Sequence, residues 1–279
     1  MTGVLSAEHI RVYRDDGLVV SPAGLPADRL DAMRGALERL TRDNAAVAPE
    51  SLICPHIPNG SRHDTRAAAR WLEFATDPVI VDQVAQLIGP DVILWGSQVF
   101  CKPAGTGREV PWHQDGRYWP IRPVATCSVW IALDDVDAEN GCMRYIPGSH
   151  RAGHVFRHRR REGDGLVLHE ELDPSAFDPA ASRDDCLQAG QYSLHDVHLI
   201  HGSLPNRSER RRAGFVLRFM PATSHFDRAI DERQDQAGVS FSFSRRPLWL
   251  VRGQDRAGND FSIGHGEDFQ LVPRVSDDG

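Results

Sequence analysis

Residues 126–133 read TCSVWIAL and residues 212–220 read RAGFVLRFM. Alternate residues of a strand point to opposite faces, so each stretch divides in two. In the first, Cys127, Val129, Ile131 and Leu133 form an apolar face opposed by Thr126, Ser128, Trp130 and Ala132. In the second, Ala213, Phe215, Leu217 and Phe219 oppose Arg212, Gly214, Val216 and Arg218. One face of each strand is expected to pack against a layer, while the other carries polar groups into a cavity or solvent. Further short strands are predicted at 93–102, 142–146 and 191–201, each bounded by Gly, Pro, Asn or Asp.

The first ninety residues read differently. Ser6 can cap a helix that stops before Gly17, and LVV at 18–20 looks like a strand. Pro26 sits where a first helical turn tolerates it, and Leu30, Met33, Leu37 and Leu40 follow at helical spacing. Residues 44–70, polar and proline-rich, are expected to form a long loop or lid. A third helix begins with Asp77 as cap and Pro78 inside, and ends at Gly89. Residues 246–251 could be strand or helix. Helices followed by antiparallel strands predict a mainly β fold, a β-sandwich or jelly roll with flanking α-helices. We read residues 1–279 as one domain, with a helical part to about 90, a strand core over about 91–222 and a C-terminal extension over 223–279.

Composition narrows the function. A chain of 279 residues, 41% hydrophobic and 25% charged, can bury a full core, and its net charge of −7 disfavours nucleic acid and polybasic membrane binding. No apolar run approaches the roughly 20 residues that span a bilayer, and the start of the chain lacks a signal-peptide pattern. Five cysteines without a CxxC pair speak against a disulfide framework or a cysteine zinc site, and predict a cytoplasmic setting. All but one of the 32 basic residues are arginine, the exception being Lys102. Nothing distinguishes monomer from homo-oligomer.

The sharpest local signal is Pro111-Trp112-His113-Gln114-Asp115-Gly116. On a strand, His113 and Asp115 would point the same way, offering two ligands of the facial triad that leaves iron(II) with open positions. A hydrogen-bonded surface pair would look the same. A third ligand should come from a distant strand, where His195, His198 and His201 all offer themselves, and spacing alone does not choose between them.

The blocks WHQDGRYW (112–119), WIALDDVDAENGCMRYIPGSH (130–150) and LIHGSLPNRSERRR (199–212) together resemble the phytanoyl-CoA dioxygenase family over roughly residues 90–222. The resemblance implies a double-stranded β-helix (jelly roll, cupin-like) and an iron(II)- and 2-oxoglutarate-dependent hydroxylase that uses O2 and releases succinate and CO2. It makes His113, Asp115 and His201 the iron ligands, and Arg212, eleven residues beyond His201, the partner of the 2-oxoglutarate carboxylate. A guanidinium fork suits that task, and strand parity separates Arg212 from its neighbour Arg211. Ser203, Trp130, Gln98 and Lys102 are the further cosubstrate-pocket residues, with a rim position the plainer alternative for Gln98 and Lys102. Related halogenases lack the carboxylate, whereas Asp115 is present.

Asn140-Gly141 and Pro147-Gly148 read as turn chemistry, and the basic run 157–161 as a solvated loop. Tyr118, Trp119 and Arg122 follow the metal motif closely and are expected to contact substrate, the aromatics holding an ammonium group and Arg122 an anion. The expected substrate is a small polar molecule, anionic or zwitterionic: an amino-acid, quaternary-ammonium, phosphonate or natural-product type. An acyl-CoA hydroxylase of the same family is the alternative. A zinc hydrolase or a non-catalytic cupin-like binding protein are the rivals from other classes.

Overall fold

The chain is described here by a computed structural model covering residues 4–57, 69–230 and 243–265. Its helices are α1 (Ala7–Asp16), α2 (Ala27–Asp43), α3 (Arg70–Ala75) and α4 (Pro78–Ile88). Local chemistry sets their ends. The Ser6 hydroxyl accepts from the His9 amide, and Gly17 closes α1 at φ 85° with its N–H on the Tyr13 carbonyl. Asp77 caps α4 through the Val79 amide, ahead of Pro78. Pro26 stands at the N-cap of α2, one position before the first turn expected from the sequence.

The strands are β1 (Leu18–Val20), β2 (Leu52–Ile53), β3 (Val92–Lys102), β4 (Val110–His113), β5 (Ile121–Arg122), β6 (Cys127–Ala132), β7 (Met143–Tyr145) and β8 (His158–Arg160). They continue with β9 (Glu170–Leu172), β10 (Arg183–Asp185), β11 (Tyr192–Asp196), β12 (His201–Ser203), β13 (Arg212–Pro221), β14 (His225–Phe226) and β15 (Trp249–Arg252). A seven-stranded sheet runs β1-β11-β6-β13-β3-β15, with β2 also paired to β3. A second sheet runs β10-β7-β12-β4, and the pairings within both are antiparallel. This is the jelly roll expected from the strand pattern.

Strand parity decides where the core sits. Cys127, Val129, Ile131 and Leu133, with Ala213, Phe215, Leu217 and Phe219, are all fully buried in one cluster with Met33 and Leu37 of α2, Trp71 and Phe74 of α3 and Val84 of α4. Trp71 meets Phe215 edge-on at 4.8 Å, locking the short helix α3 onto the centre of the sheet. The helices thus cover the outer face of the large sheet. Its inner face, with Ser128, Trp130, Arg212, Gly214, Val216 and Arg218, looks toward the small sheet.

The structure departs from expectation over 44–70 and 191–201 and fills in two further points. Within 44–70, β2 joins the large sheet, and at its end begins the unanticipated helix α3, which joins the core; residues 58–68 of the expected lid lie outside the described residues. The stretch 191–201 divides, β11 lying in the large sheet and β12 in the small one, so the chain crosses between layers at Val197–Ile200. Residues 249–252 form a strand on the edge of the large sheet. The divisions drawn near 90 and 222 are crossed by that sheet, whose strands β1, β2 and β15 come from outside the expected core.

Gly214 is the point where core and inner face constrain each other. It lies next to Trp130 across β13 and β6, and a Cβ there would come within 2.1 Å of the indole ring. Gly214→Ala is therefore expected to displace Trp130 and destabilise the fold by about 1–3 kcal/mol, the usual cost of overpacking. Urea unfolding gives the loss, and near-ultraviolet dichroism should report the moved indole; an unchanged midpoint and spectrum would contradict the packing.

Candidate active site

His113 ends β4, and the register of β4 with β12 sets it opposite His201. Their rings lie 4.2 Å apart. Each imidazole is fixed the same way: His113 Nδ1 is 2.8 Å from the Pro111 carbonyl, and His201 Nδ1 is 2.9 Å from the Leu199 carbonyl. A carbonyl only accepts, so Nδ1 carries the proton and Nε2 presents its lone pair. Burial, reinforced by the neighbouring His113, pushes the His201 pKa down to about 3, so this imidazole is neutral and able to ligate.

Asp115 is not on the strand. It opens a single 3-10 turn, Asp115–Arg117, yet its carboxylate still swings to the histidines, with Oδ1 3.7 Å from His113 Nε2. Its other oxygen accepts from Ser128 Oγ at 3.1 Å and lies 3.7 Å from His195 Nε2. Burial alone would raise the Asp115 pKa, but bonds to His113 and His195 outweigh it and hold the carboxyl well below its usual range. The metal-ligating atoms of buried His113, Asp115 and His201 all lie within 4.8 Å of one another. Two imidazoles and one carboxylate with converging lone pairs fit an iron(II) facial triad.

Of the rival histidines, His195 is buried beside Asp115 on the wall of the same cavity but outside this triad. His198 is turned toward Asp196, 3.6 Å away, and is not among the lining residues. Gln114 faces away from the triad, donating to the His154 and His198 carbonyls and accepting from Phe156 N–H, which ties the loop before β8 to the crossing between the sheets.

The arginine triplet separates as parity requires. Arg210 pairs with Asp137 at 2.6 Å, and Arg211 with Asp134 at 2.9 Å and Glu38 at 2.6 Å. Arg212 turns inward, is buried, and has no carboxylate within ion-pair distance among the described residues. Its guanidinium donates to the Gly141 carbonyl at 2.7 and 3.0 Å and to Ser203 Oγ at 3.4 Å, and sits 5.3 Å from the centre of the Trp130 ring. Burial pulls its pKa down to about 10, so it remains a cation. The Asn140-Gly141 turn supplies the carbonyl, and Gly141 at φ 81° is where such a turn needs glycine.

Lys102 stands behind this arrangement and is not a lining residue. Fully buried, it donates from Nζ to Ser203 Oγ at 2.7 Å and to the Leu204 carbonyl. Burial, then the Arg212 charge, pushes its pKa down to about 6. The lone lysine thus positions Ser203 rather than facing a ligand.

These groups open on one solvent-connected cavity between the sheets. Its lining includes the triad, Arg212, Ser203, Trp130, Gln98, Tyr118 and Trp119, and also His195, offered by the sequence only as an alternative metal ligand, and Arg218, placed on the polar face without a role. Arg218 was already on the polar face by parity, six residues beyond Arg212, and that signal would have found it. Arg122 is corrected. It is exposed, its guanidinium donates to the Trp119 and Ile121 carbonyls, and it is not on the cavity wall. Its side chain projects outward from the two-residue strand β5, whose partner residue Ile121 is the buried one.

The family model described as phytanoyl-CoA dioxygenase matches residues 13–214. A probable phytanoyl-CoA dioxygenase of Caenorhabditis elegans is 26% identical over 227 residues, 74% of this chain and 72% of that protein. Ectoine dioxygenase of Bordetella parapertussis is 27% identical over 231 residues, 76% of this chain and 74% of the relative. The apo structure of the non-heme monooxygenase ThoJ superposes with a TM-score of 0.67 at 27% identity, covering 90% of this chain and 89% of that one. Among the described residues, no helix is long and apolar enough to cross a membrane. With the buried triad in place, the chain belongs to the phytanoyl-CoA dioxygenase family of Fe(II)- and 2-oxoglutarate-dependent oxygenases, enzymes that use O2.

Proposed function

We propose that this enzyme hydroxylates a C–H bond of a small polar metabolite bearing an anionic or zwitterionic group, while 2-oxoglutarate becomes succinate and CO2. The observation that carries the reading is the convergence, on one cavity, of the His113–Asp115–His201 triad and the inward Arg212, a buried cation awaiting an anion. Bound iron(II), with 2-oxoglutarate and O2, supplies the oxidising equivalent for that bond.

The chain supplies positioning and shielding. His113, Asp115 and His201 would hold the metal. Arg212 and Ser203 would take the distal carboxylate of 2-oxoglutarate, with Trp130 as the flat wall beside it and Lys102 fixing the Ser203 hydroxyl. The Gly141 carbonyl aims the Arg212 fork, so little side-chain freedom is lost on binding. Tyr118 and Trp119 line the substrate end, where they exclude water and offer aromatic faces.

A small substrate is favoured over an acyl-CoA because three of the four arginines in the dense basic run are already paired. Arg159 and Arg161 pair with Glu171 and Glu109, and Arg160 with Glu162. That leaves no broad basic platform there for the phosphates of a coenzyme or for nucleic acid. The cysteines described, Cys54, Cys101, Cys127, Cys142 and Cys186, are all free thiols, which suits a reducing compartment such as the cytoplasm.

Replacing His113, Asp115 or His201 by Ala is expected to abolish iron(II) binding in anaerobic titrations and with it 2-oxoglutarate decarboxylation. His198→Ala should retain both. Iron retained by His201→Ala but lost by His198→Ala would overturn the ligand assignment. Arg212→Lys should weaken 2-oxoglutarate binding by about 1.5–3 kcal/mol, the scale of a charged hydrogen bond. Arg210→Lys, altering a surface ion pair, should leave the affinity unchanged. Equal 2-oxoglutarate affinity in wild type and Arg212→Lys would remove Arg212 from the site.

A further inference from the structure

Arg218 is a second buried cation on the cavity wall, and no carboxylate among the described residues lies within ion-pair distance of it. Its guanidinium lies 4.8 Å from the centre of the Trp119 ring, and Nη2 donates to Gln98 Oε1 at 3.2 Å. Nε has no partner. Gln98 is itself anchored, its amide donating to the Glu50 carbonyl at 3.1 Å. Trp119 is braced by Trp95, whose ring lies 4.8 Å away. Opposite on β3 stands Gly96, against which the arginine stem packs. The group is thus held by a ring and an amide, with donors left for a ligand.

Burying a cation costs several kcal/mol unless an anion meets it. Asp115 is the nearest candidate inside the protein, but its oxygens face His113, Ser128 and His195. Its charge is also the one a metal would take up. A divalent metal, the Asp115 carboxylate, the Arg212 cation and dianionic 2-oxoglutarate cancel one another. Arg218 is the charge left over on the cavity wall. Arg246 and the neutral His56 behind it supply no negative charge.

We infer that Arg218, stacked on Trp119 and aimed by Gln98, anchors the anionic group of the substrate, a compact monoanion such as a carboxylate. The inference rests on the hydroxylase reading and names its substrate class. Arg218 lies opposite Ser128, the residue whose hydroxyl holds Asp115, so anchor and triad share one inner face a strand apart. An anion held there keeps the carbon to be oxidised within a few bonds of it, and a long acyl chain would have to turn back on itself to reach the metal. Arg218 is a specificity residue, and Gln98 is a positioning residue acting through it.

The test uses matched pairs of three- to six-carbon carboxylates and their carboxamides, offered anaerobically to the Fe(II)- and 2-oxoglutarate-loaded enzyme. Binding is read by thermal shift, and succinate release is read separately on admitting air. Wild type should prefer acid over amide in half-saturating concentration by about tenfold or more, as a charged hydrogen bond predicts. Arg218→Gln should erase the preference while the 2-oxoglutarate and iron(II) affinities stay within about twofold, a split that general misfolding would not give. Arg218→Lys, which keeps the charge and loses the planar fork, should restore part of it and serves if the Gln variant does not fold. Arg122→Ala, on the exterior, should behave as wild type. No preference in wild type, a preference that survives in Arg218→Gln, or a loss of 2-oxoglutarate affinity equal to that of Arg212→Lys would each overturn the inference. Succinate release without acid–amide discrimination sinks only the Arg218 assignment. Failure to turn over 2-oxoglutarate at all, with binding preferences intact, sinks the hydroxylase reading instead.

Discussion

Two guanidinium groups on a single strand are buried with no carboxylate of the described residues within ion-pair distance, and the rest of the site follows from that constraint. Desolvating a cation is tolerable only where dipoles, rings or a ligand replace the lost water. Arg212 is met by the Gly141 carbonyl, Ser203 and Trp130; Arg218 by Gln98 and Trp119. Each partner is neutral. Each arginine is therefore solvated well enough to stay folded inside, yet keeps its full charge for an incoming anion. The apolar alternate residues of the same strand make this possible, because Ala213, Phe215, Leu217 and Phe219 bind it to the helical layer behind.

The triad is built on a different principle. His113 and His201 face each other because β4 and β12 pair in register, and each ring is turned by a carbonyl two residues back in its own chain. Asp115 gains its orientation from the opposite sheet, through Ser128. The metal position thus draws on both layers.

Much of this was legible in the sequence because its signals are local or periodic. The caps at Ser6, Gly17 and Asp77, the stripe on α2 and the parity of β6 and β13 all depend on residues close in the chain. Parity also separated Arg212 from Arg211, which instead pairs with Asp134 and Glu38. What failed depends on tertiary placement. Arg122 had the right chemistry and a plausible distance from the motif, but a two-residue strand gives too little periodicity to tell inside from outside. The division of 191–201 into strands of two sheets, and the entry of β2 into the large sheet, require partners that no local pattern names. Lys102 was noticed for its rarity, while its role, holding Ser203 from behind, depends on a contact across 101 residues.

Register also orders the two anions along the cavity. Arg212 lies opposite Lys102, Val216 opposite Trp130, and Arg218 opposite Ser128, which holds Asp115. At the usual strand rise, the six-residue step from Arg212 to Arg218 separates their backbones by roughly 20 Å. Gly214, Val216 and the Trp130 indole make the wall between them apolar. Each guanidinium is also tied to partners at its own end, so one five-carbon dianion is not expected to satisfy both. On the proposed reading, 2-oxoglutarate runs from Arg212 toward the triad, and the substrate enters from the other side with its anion on Arg218. The single strand β13 would then act as a ruler, its two charged ends fixing cosubstrate and substrate on opposite sides of the metal.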